Sequence, residues 1–214
     1  MFTGIIEKVG RVTAIKVRGE QRRITVAAPG LARELKQGDS ISVSGACLTA
    51  VEISADSFSA DLAQETWKRT SFSRLKAEAL VNLELPMRAN GRFDGHIVQG
   101  HVDGVGSVIS FAPIPDGNDY RLKISVPSEL TRYIVEKGSV TIEGISLTVA
   151  AIDGNQVEIA VIPHTAQMTN LLSLEPHDPL NLEMDVIAKY VEKMMGTRKA
   201  EGSLTIEELV RSGF

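Results

Sequence analysis

Short stretches in which apolar residues recur at every second position dominate the chain, and Gly, Pro or Asp closes most of them. Val, Ile and Thr enrich residues 5–17, 23–28, 40–44, 48–53 and 57–62, which predicts a run of β-strands. The same succession returns at 104–110, 120–126, 139–143, 147–152 and 156–162. Strands this short, completed within about ninety residues, favour a small antiparallel barrel, because closing the sheet removes its free edges. Each set is interrupted by helical spacing. Leu31 and Leu35 run up to Gly38 in the first, and Leu130 and Ile134 run up to Gly138 in the second, where Ser128 is placed to cap. Further helical turns are expected to begin at Thr66 and Thr165. Over residues 186–195 the period becomes purely helical, with Ile187, Val191, Met194 and Met195 on one face and Lys189, Glu192 and Lys193 on the other. That stripe must be covered by the chain's own barrels or by another subunit. Thr205 and Glu208 form a capping box ahead of Ile206, Leu209 and Val210, which predicts a last short helix.

The recurrence extends to residue identity. Gly4-Ile5-Ile6-Glu7-Lys8-Val9-Gly10 returns 96 positions later as Gly100-His101-Val102-Asp103-Gly104-Val105-Gly106. Farther along the offset is 99: Gly45-Ala46-Cys47-Leu48-Thr49 faces Gly144-Ile145-Ser146-Leu147-Thr148, Thr66 and Thr70 face Thr165 and Thr169, and Asn82-Leu83-Glu84 faces Asn181-Leu182-Glu183. A repeat near a hundred residues is too long for a solenoid unit and suits one self-sufficient core, so the chain is a tandem duplication. A duplicated domain implies a function that needs two similar pockets.

Composition narrows the partners. Hydrophobic residues make up 43% of the chain, enough for a core in each half. A net charge of -4 and a pI near 5.6, without a Lys/Arg stripe, exclude a nucleic-acid backbone as partner. The apolar runs fall far short of the roughly 20 residues that span a bilayer, and Glu7 interrupts what would be the core of a signal peptide, so no membrane role and a cytoplasmic location are expected. A single cysteine cannot form an internal disulfide, and His96, His101, His164 and His177 lack metal-ligand spacing, so no metal is expected.

Several segments together carry a likeness. The opening Met1-Phe2-Thr3-Gly4-Ile5-Ile6-Glu7, the Cys47-Leu48-Thr49 triplet, residues 95–104 from Gly95-His96 to Asp103-Gly104, Ile145-Ser146-Leu147-Thr148, Ile162-Pro163-His164-Thr165 and Ala188-Lys189-Tyr190-Val191-Glu192 closely resemble the riboflavin synthase family over nearly the whole chain. The resemblance implies an all-β chain of two tandem, six-stranded antiparallel Greek-key barrels with short helices. A first lumazine-binding barrel would span residues 1–95, a second 96–186, and a C-terminal trimerisation helix and tail 187–214. It further implies a homotrimer that dismutates two 6,7-dimethyl-8-ribityllumazine molecules without a metal or redox cofactor, with association with lumazine synthase as a further expectation. One lumazine would sit on the first barrel of one subunit and the other on the second barrel of a neighbour. The sequence departs from the family's usual residues at Ala50, Gln64, Trp67 and Asp94, and Glu143 stands where aspartate is common.

Comparing the copies separates binding from chemistry. Matching positions should serve both pockets: Gly4 and Gly100, Leu48-Thr49 and Leu147-Thr148, Thr66 and Thr165. Glycine lets backbone approach a flat ring, and hydroxyls and strand-end amides pair with its polar edge. Positions that differ are where the pockets diverge: Cys47 against Ser146, Ile5 against His101, Glu65 against His164. Cys47, His101 and Ser146 are the catalytic candidates. Cys47 either assists addition to the ring or fills a small space; Ser146 binds ligand, activates a water or bonds backbone; His101 carries an imidazole, the side chain suited to moving a proton from the acidic ring methyl, or is structural. By resemblance, the substrate-binding set on the first barrel is Cys47, Leu48, Thr49, Asp61, Leu62, Ala63, Gln64, Glu65 and Thr66. On the second it is Lys137, Ser146, Leu147, Thr148, Ala160, Val161, Ile162, Pro163, His164 and Thr165. Phe2, Gly4, Ile5, Ile6, Gly100, His101 and Val102 complete it. Phe2 either folds over a pocket or packs against a barrel end.

Overall fold

The computed structural model describes residues 1–19, 21–115 and 117–198. The predicted helix at Thr205 lies outside them. The first copy contains strands β1 (Lys8–Arg18), β2 (Gln21–Ala27), β3 (Ser40–Val43), β4 (Ala46–Ile53), β5 (Ser57–Leu62) and β6 (Leu80–Glu84), with helix α1 (Gln64–Arg69) between the last two. The second repeats them as β7 (Gly104–Pro113), β8 (Tyr120–Ser125), β9 (Ser139–Ile142), β10 (Ile145–Asp153), β11 (Gln156–Val161) and β12 (Pro179–Met184), with α2 (Pro163–Met168). Helix α3 (Val186–Arg198) follows. Each set closes into an antiparallel six-stranded barrel, ordered β1-β2-β5-β4-β3-β6 and β7-β8-β11-β10-β9-β12.

The alternation seen in the sequence is the alternation of the barrel walls. Ile24, Val26, Ile41, Val43, Phe58 and Leu83 fill the first interior, and Leu122, Ile124, Val140, Ile142, Val157 and Leu182 fill the second at equivalent positions, none more than 1% exposed. Both barrels are therefore solid, and any ligand must lie outside them. Bulges near Thr13 and Val51, matched by Ile109 and Ala150, add the local twist that closure of so few strands requires.

Three local expectations are corrected. The first strand begins at Lys8 rather than residue 5, because the preceding residues leave their own barrel. The helical spacings after residues 31 and 130 give only 3₁₀ turns, Leu31–Glu34 and Thr131–Tyr133, and Ser128 does not cap the second. Each is too short between its flanking strands to establish α-helical bonding. Helices α1 and α2 begin two residues before Thr66 and Thr165; Thr70 and Thr169 close them, each hydroxyl donating to the carbonyl four residues back at 2.6 and 2.7 Å.

The barrels meet across a pseudo-two-fold axis. The turns Ser44-Gly45 and Glu143-Gly144 have positive φ at both residues, the requirement of a two-residue hairpin loop with the strands' own twist. They lie back to back: a Cβ on Gly45 would sit 2.8 Å from the Gly144 nitrogen. Asn82 Nδ2 donates to the Glu143 carbonyl (2.9 Å), and Asn181 Nδ2 donates to that of Ser44 (2.8 Å). Asn82 Oδ1 accepts from the Asn170 N–H and Asn181 Oδ1 from the Ser71 N–H, both at 2.7 Å. Buried amides satisfied this fully fix one relative orientation.

Helix α3 leaves Ile187, Val191, Met194 and Met195 between 49% and 70% exposed, so its stripe is not buried on the chain's own barrels. No helix among the described residues is long and apolar enough to cross a membrane.

Candidate active site

The segment opening each copy crosses to the barrel of the other. Phe2 and Val98, equivalent residues, pair as an antiparallel bridge through Phe2 N–H to Val98 O (2.7 Å) and Val98 N–H to Phe2 O (3.2 Å). Beyond that crossing, the Gly4 carbonyl accepts from the Ser146 N–H on the second barrel, and the Gly100 carbonyl accepts from the Cys47 N–H on the first, both at 2.8 Å. Ile6 packs against the second core and Val102 against the first. Glycine is demanded at both contacts. At φ +79°, a Cβ on Gly4 would lie 2.6 Å from Ser146 Cβ, and one on Gly100 would lie 2.6 Å from Cys47 Cβ.

Two acids that were not among the sequence candidates hold these crossings. The Glu84 carboxylate accepts the Thr3 N–H (2.6 Å), the Thr3 hydroxyl (2.7 Å) and the Gly4 N–H (3.0 Å). Glu183 accepts the N–H groups of Gln99, Gly100 and His101 at 2.6, 2.9 and 3.1 Å. Burial pushes both carboxyls above the ordinary range, and the converging donors pull them back. Their signal was the repeated Asn-Leu-Glu triplet, which reads as a strand end.

The candidates therefore sort into two composite half-sites. In one, Cys47 and Thr49 on the outer face of β4 adjoin Gly100, His101 and Val102. In the other, Ser146 and Thr148 on the outer face of β10 adjoin Gly4, Ile5 and Ile6. Thr49, Thr148, His101, Ile5 and Ile162 are exposed and Cys47 and Ser146 half-buried, so both half-sites lie open. Leu48, Leu62, Leu147 and Val161 point inward, at most 7% exposed, and have only backbone edges to offer. Phe2 is wholly buried at the crossing, so the expectation that it folds over a pocket gives way to packing between the two crossing segments.

Strands β5 and β11, which pair with β4 and β10, and the helices after them carry the remaining candidates. Asp61 is held by Arg23 through Nε (2.6 Å) and Nη2 (2.8 Å), which keeps its carboxyl below the ordinary range. Ala63 and Gln64 are exposed at the start of α1, Glu65 pairs with Arg69 one turn on, and Thr66 is half-buried. Ala160 and His164 are exposed and Pro163 and Thr165 half-buried at the equivalent places. Trp67 packs against the first core beneath the Arg22 guanidinium, 5.0 Å from the ring centre. Lys137 occupies the left-handed region at φ +65° where the first copy has Gly38.

The half-sites differ in proton chemistry. His96 Nδ1 lies 2.7 Å from Ser146 Oγ, and its Nε2 lies 3.0 Å from Thr141 Oγ1. Burial lowers the His96 pKa, with Asp185 opposing, so the ring is neutral at neutral pH. With the proton on Nε2 and donated to Thr141 Oγ1, Nδ1 accepts the Ser146 hydroxyl; the other tautomer leaves that hydroxyl free to donate to a ligand. His96 was not among the sequence candidates, because its contact with Ser146 spans fifty residues and no spacing along the chain announces it. In the Cys47 half-site the histidine is instead His101, exposed at the tip of the crossing segment.

The lumazine binding domain family matches this chain twice, over residues 3–86 and 99–185. The riboflavin synthase of Actinobacillus pleuropneumoniae is 44% identical with all of both chains aligned, and that of Bacillus subtilis is 37% identical, again over all of both. The chain belongs to the riboflavin synthase family. The Mycobacterium tuberculosis riboflavin synthase is 41% identical over 91% of this chain and 98% of its own. Among solved structures, LumP complexed with 6,7-dimethyl-8-(1'-D-ribityl) lumazine superposes with a TM-score of 0.78 at 25% identity, covering 86% of this chain and 99% of LumP. LumP complexed with riboflavin gives 0.80 at 26%. The matched residues include both half-sites of this riboflavin synthase family member.

Proposed function

We propose that this protein is a cytoplasmic riboflavin synthase that dismutates two 6,7-dimethyl-8-ribityllumazine molecules into riboflavin and 5-amino-6-(ribitylamino)uracil. The reciprocal crossing carries the reading. It builds two half-sites of one design, as required when one molecule of a substrate donates a four-carbon unit to another. Each open half-site supports one ring by a strand edge and a glycine-led segment and leaves its outer face free for a second ring. Holding two such rings in register lowers the barrier by as much as roughly 7–11 kcal/mol through entropy surrendered on binding, so few reactive groups are needed.

The divergent residues supply the proton steps. His101 accepts a proton from the ring methyl of the lumazine it borders, and the Thr141–His96–Ser146 chain adjusts to either protonation state at the second ring's polar edge. Cys47 assists addition at the ring carbon, and Lys137 and the exposed ends of α1 and α2 contact the ribityl hydroxyls. The uncovered stripe of α3 supports a homotrimer in which the Cys47 half-site of one subunit closes on the Ser146 half-site of the next; association with lumazine synthase extends the same reading. A carrier resembling LumP is the second reading, supported by the structural superposition, but here both half-sites retain their motifs. The test is to mix purified protein with 6,7-dimethyl-8-ribityllumazine alone and follow riboflavin fluorescence. Turnover is expected; saturable binding without product would establish the carrier instead.

A further inference from the structure

One contact breaks the pseudo-symmetry of the crossing segments. In the first copy Glu7 Oε1 accepts the Leu85 N–H at 2.7 Å, and in the second its equivalent, Asp103 Oδ2, accepts the Met184 N–H at 2.8 Å. These latches tie each crossing segment to the strand end that carries Glu84 or Glu183. Among the described residues, a cation sits on the second latch and none on the first. Lys189 Nζ, from α3, donates to both Asp103 oxygens at 2.8 and 2.7 Å, with both side chains three-quarters buried or more. Its charge also reaches Glu183 and favours the ionised form that accepts the three N–H groups of residues 99–101. In the first copy the corresponding neighbour of Glu84 is Glu7, a like charge. The residue so braced is His101, delivered to the first barrel by a helix attached to the second.

Resting on the riboflavin synthase reading above, we propose that Lys189 is a positioning residue for the Cys47 half-site, acting through Asp103 and Glu183 on the segment that presents His101. The competence of that half-site then depends on α3 being docked. Without the ammonium, Asp103 loses its ion pair and the partly buried Glu183 loses the charge that favours its ionised form. Glu183 then takes a proton more readily, and the segment that must hold His101 against a ligand loosens. A misplacement of about 1 Å in a reacting group lowers turnover by roughly 100-fold.

The test compares Lys189→Met and Lys189→Arg in the full chain, with sedimentation to verify that the association state matches the parent. Lys189→Met is expected to lower kcat about 100-fold and to move the acid limb of its pH profile upward, as Glu183 protonates more easily. It should also weaken lumazine binding to the first half-site, read as quenching of Trp67, the single tryptophan. Lys189→Arg should restore most of all three. Asp103→Asn is the second variant, should Lys189→Met not fold. It is expected to lower kcat in the same direction, and adding Lys189→Arg to it should give no rescue. An unshifted acid limb in Lys189→Met, or a loss that Lys189→Arg does not repair, overturns the proposal. If the parent protein binds lumazine but makes no riboflavin, the enzyme reading fails, and quenching of Trp67 in the variants still decides the role of Lys189.

Discussion

Glu143 lies at the centre of the contact between the barrels, and its removal gives the sharpest physical test of that contact. Its Oε1 accepts the Asn181 N–H at 2.7 Å, its Oε2 accepts Asn170 Nδ2 at 3.3 Å, and its backbone sits at φ +51° in the turn against Gly45. Burial is the largest influence on the carboxyl and raises its pKa from 4.5 to about 7, against the pull of the donors around it. An acid whose folded pKa exceeds its unfolded one holds its proton more tightly when folded, so ionisation opposes folding. The stability contribution is therefore greatest below 4.5 and is lost as pH rises through about 7. The difference between those pKa values corresponds to about 3 kcal/mol. Glu143→Gln keeps the size and removes the titration. It also places an amide nitrogen opposite Asn170 Nδ2, leaving a buried donor unpaired at a cost of about 1–3 kcal/mol. The variant should be less stable than the parent in acid, and the difference should shift by about 3 kcal/mol in the variant's favour as pH rises, closing or reversing the gap. Urea unfolding at a fixed protein concentration, from pH 4.5 to pH 8 in both proteins, measures this. Glu84 and Glu183 titrate with the same sign, but both proteins contain them and they cancel in the difference. Parallel stability curves would show that Glu143 titrates alike in the folded and unfolded chains and that the inter-barrel network does not desolvate it.

Other outcomes follow from the half-sites. Gly100→Ala should cost about 1–3 kcal/mol from the strained φ alone, and more from the clash with Cys47; its loss of Trp67 quenching by lumazine should exceed that of Gly4→Ala, which disturbs the Ser146 half-site. Equal effects would refute the reciprocal assignment. Cys47→Ala and His101→Ala should each slow turnover more than they weaken binding, as steady-state rates and lumazine titrations would show; if both turn over normally, dividing the copies into shared and divergent positions is mistaken. A chain ending at Asp185 should sediment as a monomer, since the uncovered face of α3 is then absent, and a trimer would refute the role given to that helix.

Much of the architecture was legible because its causes are local. Alternating Val, Ile and Thr can bury only one face of a strand, and repeating that pattern at a fixed offset writes two equivalent barrels. Cys47 against Ser146 and Gly4 against Gly100 could likewise be paired by counting, since duplication preserves register. What counting leaves open is company: Gly4 begins the copy that holds Cys47, yet it lies against Ser146. The exchange depends on the pairing of Phe2 with Val98 and on two buried acids collecting N–H donors from residues some eighty positions away.

The strands, the duplication and the chemical types at each half-site could be read along the chain, because side-chain periodicity and residue identity suffice for them. Which segments share a half-site, the contact of His96 with Ser146 and the ion pair of Lys189 with Asp103 emerge only on folding. Those follow from desolvated polar groups, which accept whichever partner the fold brings within hydrogen-bond reach, and no spacing along the chain encodes that choice.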